Sequence, residues 1–146
     1  MTVAAQAQGA SQDQRRHDKY DKLVAAAQAL PTLKVAVVHP CDAASLGAVF
    51  EAAGLGLIEP ILVGPQVRIM AAAQALGKDI STMRIDDAPH SHAAADEAVN
   101  LVRSGQAEAL MKGSLHTDEL MGAIVRREGG LRTARRISHC LSLIHI

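Results

Sequence analysis

A chain of 146 residues with 15 basic and 15 acidic side chains suffices for one domain with a true core, not two, and has no general attraction to nucleic acid or an anionic membrane. Nearly half the residues are apolar, yet Tyr20 and Phe50 are the only aromatics, so Ala, Val, Leu, Ile and Met must fill the core and little surface remains for stacking bases. Cys41 and Cys140 alone build no disulfide framework, and with neither a membrane-length apolar run nor a signal-peptide pattern at Met1 to Ala10 the expected location is the reducing cytoplasm.

Residues 1–17, rich in Gln, Ala, Ser and Gly without an apolar period, are expected to form a disordered arm. Leu23, Ala26, Ala27 and Leu30 then recur at helical spacing, which predicts a helix from Asp18 that stops before Pro31. Leu33 to Val38 is a β-branched run of the kind buried in a parallel sheet. His39-Pro40-Cys41 turn the chain, and Asp42 can cap a helix reaching about Ala53, ended by Gly54 and Gly56. Ile58 to Val63 predict a second strand, Gln66 to Leu76 a helix, and Ser81 to Ile85 a weaker third strand. Ser91 to Arg103 form a long helix with Ala94, Ala98, Leu101 and Val102 on one face. Glu108 to Met111 read as the fourth strand and Thr117 to Arg127 as the next helix. Ile137-Ser138-His139 should open another strand. Such alternation predicts βαβ units: a three-layer α/β domain over residues 18–140, its sheet mostly parallel, with helices on both faces.

The chemistry gathers at Ala109 to Met121, where an apolar run becomes a polar elbow and then a helical pattern. Lys112, Gly113, Ser114 and His116 place an ammonium, unencumbered backbone, a hydroxyl and an imidazole just past a strand's carboxyl end, where open α/β sheets bind ligands. A positive charge and free amides there could hold a phosphate or the oxygen of a thioester. The structural alternative is a tight turn at Gly113, a cap at Thr117 and a solvated Lys112. His39 ends the first strand and points to the same edge. Seven histidines invite a metal, but His90 and His92 sit beside Pro89 where they need not face each other, and no carboxylate or cysteine completes a ligand set; no metal is expected. Neither G-x-G-x-x-G nor the P-loop spacing occurs. The basic run Arg126, Arg127, Arg132, Arg135 and Arg136 is either a solvated face or a source of arginines that hold phosphate bidentately.

The wording of several separated stretches goes further. Lys112-Gly-Ser-Leu-His-Thr-Asp-Glu-Leu-Met121, Gly130-Leu-Arg-Thr133 and Arg136-Ile-Ser-His139 resemble the phosphate acetyl/butyryltransferase family, and Val37-Val-His-Pro-Cys-Asp42 with Ser45-Leu46 and Pro60-Ile-Leu-Val-Gly-Pro65 fit it in the same order. The wording is especially similar to the acyltransferase half of bifunctional enoyl-CoA hydratase/phosphate acetyltransferases. The resemblance implies a two-domain fold like that of the isocitrate and isopropylmalate dehydrogenases, here incomplete. It implies acyl exchange between coenzyme A and inorganic phosphate, by direct attack of phosphate on the thioester and with no bound cofactor. It also implies a homo-oligomer in the intact protein. The family's Ser-Arg pair and later Asp belong to its second domain and have no counterpart here, so no residue of this chain is assigned as catalytic. What carries over is a substrate-side wall of Lys112, Gly113, Ser114, His116, Thr117, Ser138 and His139.

After residue 140 the family wording breaks off. Leu141 to Ile146 match the peptide encoded by the mosaic end of a common transposon-based sequencing adapter, so residues 141–146 are expected to be a non-native tail on a truncated, inactive piece. The alternative is a self-contained Rossmann-like module that binds a small molecule without catalysis.

Overall fold

Four parallel strands in the order β3-β2-β1-β4 form the centre of the computed structural model, which describes residues 18–138. Helix α1 occupies residues 18–28. There follow β1 (Leu33–Val38), α2 (Ala43–Gly54), β2 (Ile58–Gly64), α3 (Gln66–Ala75), β3 (Arg84–Asp87), α4 (Ser91–Arg103), β4 (Ala109–Lys112) and α5 (Thr117–Val125). β1 lies at the middle, in register with β2 from Leu33↔Ile58 to Val38↔Val63 and with β4 from Val35↔Ala109 to Val38↔Lys112.

The two faces of the sheet are filled by opposite alternates of the same strands, because successive side chains of a strand point to opposite sides. Ala36, Val38, Ile61 and Val63 pack with Ala94, Ala95, Ala98 and Val99 of α4 and with Leu120 and Ala123 of α5. Val35, Val37 and Leu62 pack with Leu46 and Val49 of α2 and with Ile69, Ala72 and Ala73 of α3. The result is the expected three-layer α/β architecture. Alanines on the sheet-facing side of α4 leave room for that helix to lie across both β1 and β2, as the crossover from one sheet edge to the other demands.

Three expectations shift. The third strand begins at Arg84 rather than Ser81, since Ser81 to Met83 are a turn in which the Asp79 carboxylate accepts from the Ser81 amide and hydroxyl (2.8 and 3.0 Å). Residues 131–138, including Ile137 and Ser138, contain no strand. The expected helix is present, but Leu23 is 70% exposed and Leu30, past the helix end, 67% exposed, so α1 does not pack on the core as its periodicity implies. It is tied at its end instead, by the Gln28 side-chain amide donating to the Leu55 carbonyl at 2.8 Å. The expected arm (1–17), His139 and the expected tail (141–146) lie outside the described residues.

Candidate functional site

All strands run the same way, so their carboxyl ends share one edge, and the chain leaves β1 toward β2 on one side and reaches β4 only on the other. That reversal places a switch point between the tips of β1 and β4, where His39 follows Val38 and Gly113 follows Lys112.

The two tips are bound together main chain to main chain. The Gly113 amide donates to the Val38 carbonyl (2.8 Å) and the Ser114 amide to that of His39 (2.9 Å). The Ser114 hydroxyl donates to the His39 carbonyl (2.9 Å) and accepts from the Cys41 amide (3.1 Å). In return, His39 Nδ1 donates to the Ser114 carbonyl at 2.9 Å, because a carbonyl oxygen can only accept. This approach needs a glycine: a Cβ on Gly113 would overlap the Val38 carbonyl oxygen and come within 2.6 Å of that of His39. His39 itself sits in the left-handed region, φ 56°, a conformation that costs a non-glycine residue about 1 kcal/mol or more and persists where surrounding bonds dictate it.

The residues named from sequence therefore divide. Gly113 and Ser114 brace the elbow, and their amides are not free for a ligand as their position past a strand had implied. Lys112, His116 and Thr117 are exposed around it. α5 starts without a side-chain cap at His116, which leaves its first amides open to solvent or to an anion. Asp118 and Glu119 stand in that same first turn and offset part of the field. Glu119 carries a sealed oxygen, Oε2, with no partner, while its Oε1 lies 3.7 Å from His92 Nδ1. Ser138 is exposed, outside any regular element, and His139 is beyond the described residues.

Asp42, at the start of α2, takes the capping role that its position predicts. The Ser45 hydroxyl and amide donate to its Oδ1 at 2.6 and 2.7 Å. These bonds hold its carboxyl below the usual range, hydroxyl first and amide second, with a smaller contribution from the Lys112 charge across the switch point. A depressed folded-state pKa gives stability that is present above the ordinary carboxylate pKa and lost as pH falls through the folded value. Asp42→Ala is thus expected to lower stability by about 1 kcal/mol at neutral pH. The urea midpoints of variant and parent should converge on acidification; a gap that stays constant with pH would contradict this origin.

Cys41 is a poor nucleophile in this setting. Burial pushes its thiol up, the Arg68 charge opposes that and the Asp42 charge adds to it, so the thiol form dominates at neutral pH. Sequence reasoning missed two interactions here, each between distant segments: the Arg68 charge that acts on Cys41, and the bond of Asp87 at the end of β3, whose carboxylate accepts from the Gln66 amide (2.8 Å) to cap α3. His90 and His92, which by position alone need not face each other, meet edge to face at 6.3 Å. His90 caps α4, its Nδ1 accepting from the Ala93 amide at 3.1 Å. Among the described residues no group of three or more His, Cys, Asp or Glu is placed to hold a metal ion. Of the arginine run, Arg126 pairs with Asp96 at 2.9 Å. Arg132, Arg135 and Arg136 line an open concavity of about 590 Å³ with Val125, Leu131 and Ile137.

Comparison with known proteins follows the same stretch of chain. It is 54% identical over 121 residues to a phosphate acetyltransferase of Rhizobium meliloti, a match covering 83% of this chain and 38% of that protein. It is 37% identical over 120 residues to a phosphate butyryltransferase of Clostridium beijerinckii, covering 82% and 40%. Among solved structures, the EutD phosphotransacetylase from Staphylococcus aureus superposes with a TM-score of 0.58 at 17% identity, over 71% of this chain and 41% of that one. A branched-chain phosphotransacylase from Enterococcus faecalis gives a TM-score of 0.52 at 21% identity, over 67% and 33%; both likenesses concern the fold. No family model matches the chain. The chain spans less than half the length of these relatives. With identity of this degree over most of its length, the chain belongs to the phosphate acetyl/butyryltransferase family.

Proposed function

We propose that this chain supplies one wall of a cleft in which an acyl group, acetyl or butyryl, moves between coenzyme A and inorganic phosphate. The observation that carries this reading is the bonded pair of strand tips. It fixes an ammonium (Lys112), an imidazole (His116) and the uncapped start of α5 around one edge of the sheet, the combination that attracts a phosphate or a developing oxyanion. In this reading phosphate attacks the thioester carbonyl directly, the new carbon–oxygen bond turns the carbonyl oxygen into an oxyanion, and its collapse breaks the carbon–sulfur bond and releases the coenzyme as its thiolate. The wall's task is to hold and orient both partners so that the reacting atoms meet. Lys112, His116 and Thr117 face the substrates, with Ser138 and His139 assigned there by resemblance. Gly113 and Ser114 keep the wall in shape. The opposite wall, carrying the Ser-Arg pair and Asp that the resemblance assigns to catalysis, belongs to the part of such proteins that this chain does not span. The acyl-coenzyme A and phosphate partners, a homo-oligomeric assembly and a cytoplasmic location are parts of the same proposal.

Steady-state kinetics test it. Lys112→Ala in a full-length enzyme carrying this segment is expected to raise KM for phosphate or acyl-coenzyme A about tenfold or more, the equivalent of one hydrogen bond to a charged group. An unchanged KM for both substrates would remove Lys112 from the site.

A further inference from the structure

His39 is the only polar or charged residue in the buried core of the described chain, 4% exposed. It stands at the switch point in a left-handed backbone conformation uncommon for a non-glycine residue. Glycines flank it on both neighbouring tips. On β2, a Cβ at Gly64 would lie 3.3 Å from the His39 Cα and 3.7 Å from its ring carbon Cδ2; on β4, Gly113 approaches its carbonyl. The ring is thus a wedge between the ends of β1, β2 and β4, with Nδ1 committed to the Ser114 carbonyl. That bond fixes the proton on Nδ1, and in the neutral ring it leaves Nε2 with a lone pair and no proton. No described residue bonds Nε2, and the one side-chain nitrogen or oxygen that is both sealed and unpartnered among the described residues is Glu119 Oε2. Nε2 stands at the edge of the sheet, in the turn that follows Val38, the residue paired with Lys112. The charged groups around this turn are Lys112 from β4, Asp42 from the start of α2 and Arg68 from α3.

We propose that His39 is the residue by which the site selects phosphate, its Nε2 accepting a hydrogen bond from the protonated oxygen of the bound anion. This rests on the reading above that an anion binds at these strand tips, and it adds what distinguishes one anion from another. Inorganic phosphate at neutral pH still carries a proton on oxygen; sulfate, of the same shape, carries none. Lys112 attracts both. A lone pair fixed in place by the Nδ1 bond accepts from the first and faces an unprotonated oxygen of the second, so the hydrogen bond is made to phosphate alone. The left-handed backbone and the bond to Ser114 become intelligible together: both serve to aim one ring nitrogen.

Isothermal titration of a full-length enzyme carrying this segment, with inorganic phosphate and with sulfate, in parent and in His39→Asn, tests this. Asparagine tolerates the left-handed conformation and keeps an amide where Nδ1 stands, so it preserves the bond to Ser114 and deletes only Nε2. The parent is expected to bind phosphate about tenfold tighter than sulfate, and His39→Asn to lose that preference by weakening phosphate alone, one hydrogen bond to a charged group being of that size. Equal binding of the two anions by the parent, or a preference that survives in His39→Asn, overturns the role of His39 and leaves the anion site standing. Binding of neither anion by the parent overturns both. Should the variant fail to fold, ¹⁵N imidazole spectra of the parent decide: the His39 Nε2 resonance is expected to move with phosphate and not with sulfate, and a resonance indifferent to phosphate refutes the contact.

Discussion

Given acyl-coenzyme A and phosphate, the 146-residue chain by itself is expected to form no acyl phosphate above a heat-inactivated control. The physical reason is the share of the barrier that positioning removes. Holding two reactants in attack geometry is worth roughly 7–11 kcal/mol, and a single wall open to solvent can hold neither partner against the other. Charges on such a wall also act through water, where a given ion pair is several-fold weaker than in a closed cleft. The same residues joined to the remainder of a full-length relative should restore turnover by many orders of magnitude. Trapping the product with hydroxylamine measures both cases, and accumulation of acyl phosphate by the chain alone would contradict the proposal that the site needs a second wall.

The second large effect concerns the elbow itself. Gly113→Ala should cost about 3 kcal/mol, a substantial part of the roughly 5–15 kcal/mol by which a domain of this kind is stable. The added methyl meets main-chain oxygens of Val38 and His39, and neither can retreat: Val38 is held in the central strand between β2 and β4, and the His39 carbonyl accepts from Ser114. Gly47→Ala is the matching control, because a Cβ there meets nothing within 4 Å. It lies inside α2, where removing a glycine should add about 0.5–1 kcal/mol. Urea unfolding of the two variants should move in opposite directions. A Gly113→Ala midpoint close to the parent's would mean that the tips are less tightly joined than their hydrogen bonds imply.

Where local pattern and burial agree, the sequence was legible. Leu33 to Val38 is a strand because Val35 to Val38 are apolar and buried on both faces, and Asp42 is a cap because its carboxylate needs only Ser45, three residues on. β3 starts later than its apolar pattern predicts because the approach through Ile80 and Met83 turns, while Arg84-Ile-Asp-Asp pairs with β2 despite two residues poor in strands. Their carboxylates find partners in Arg84 (2.8 Å) and in the Gln66 amide. α1 shows the converse limit: a periodic face reports that a helix can bury it, not that this segment of chain supplies the partner. At the site, the strand-end position of Lys112 and His39 followed from topology. The bonds between His39 and Ser114, 75 residues apart, did not, since nothing local to either stretch encodes them.

Among the described residues the sheet ends in two edge strands of different character. β3 presents Arg84, Asp86 and Asp87 along its length, charges that discourage a further strand, while β4 offers Ala109, Leu110 and Met111 before its first charge at Lys112. Growth of this sheet is therefore polar: additional chain adds more favourably beside β4, next to the tips that hold Lys112, and an isolated preparation is stickiest on that same flank.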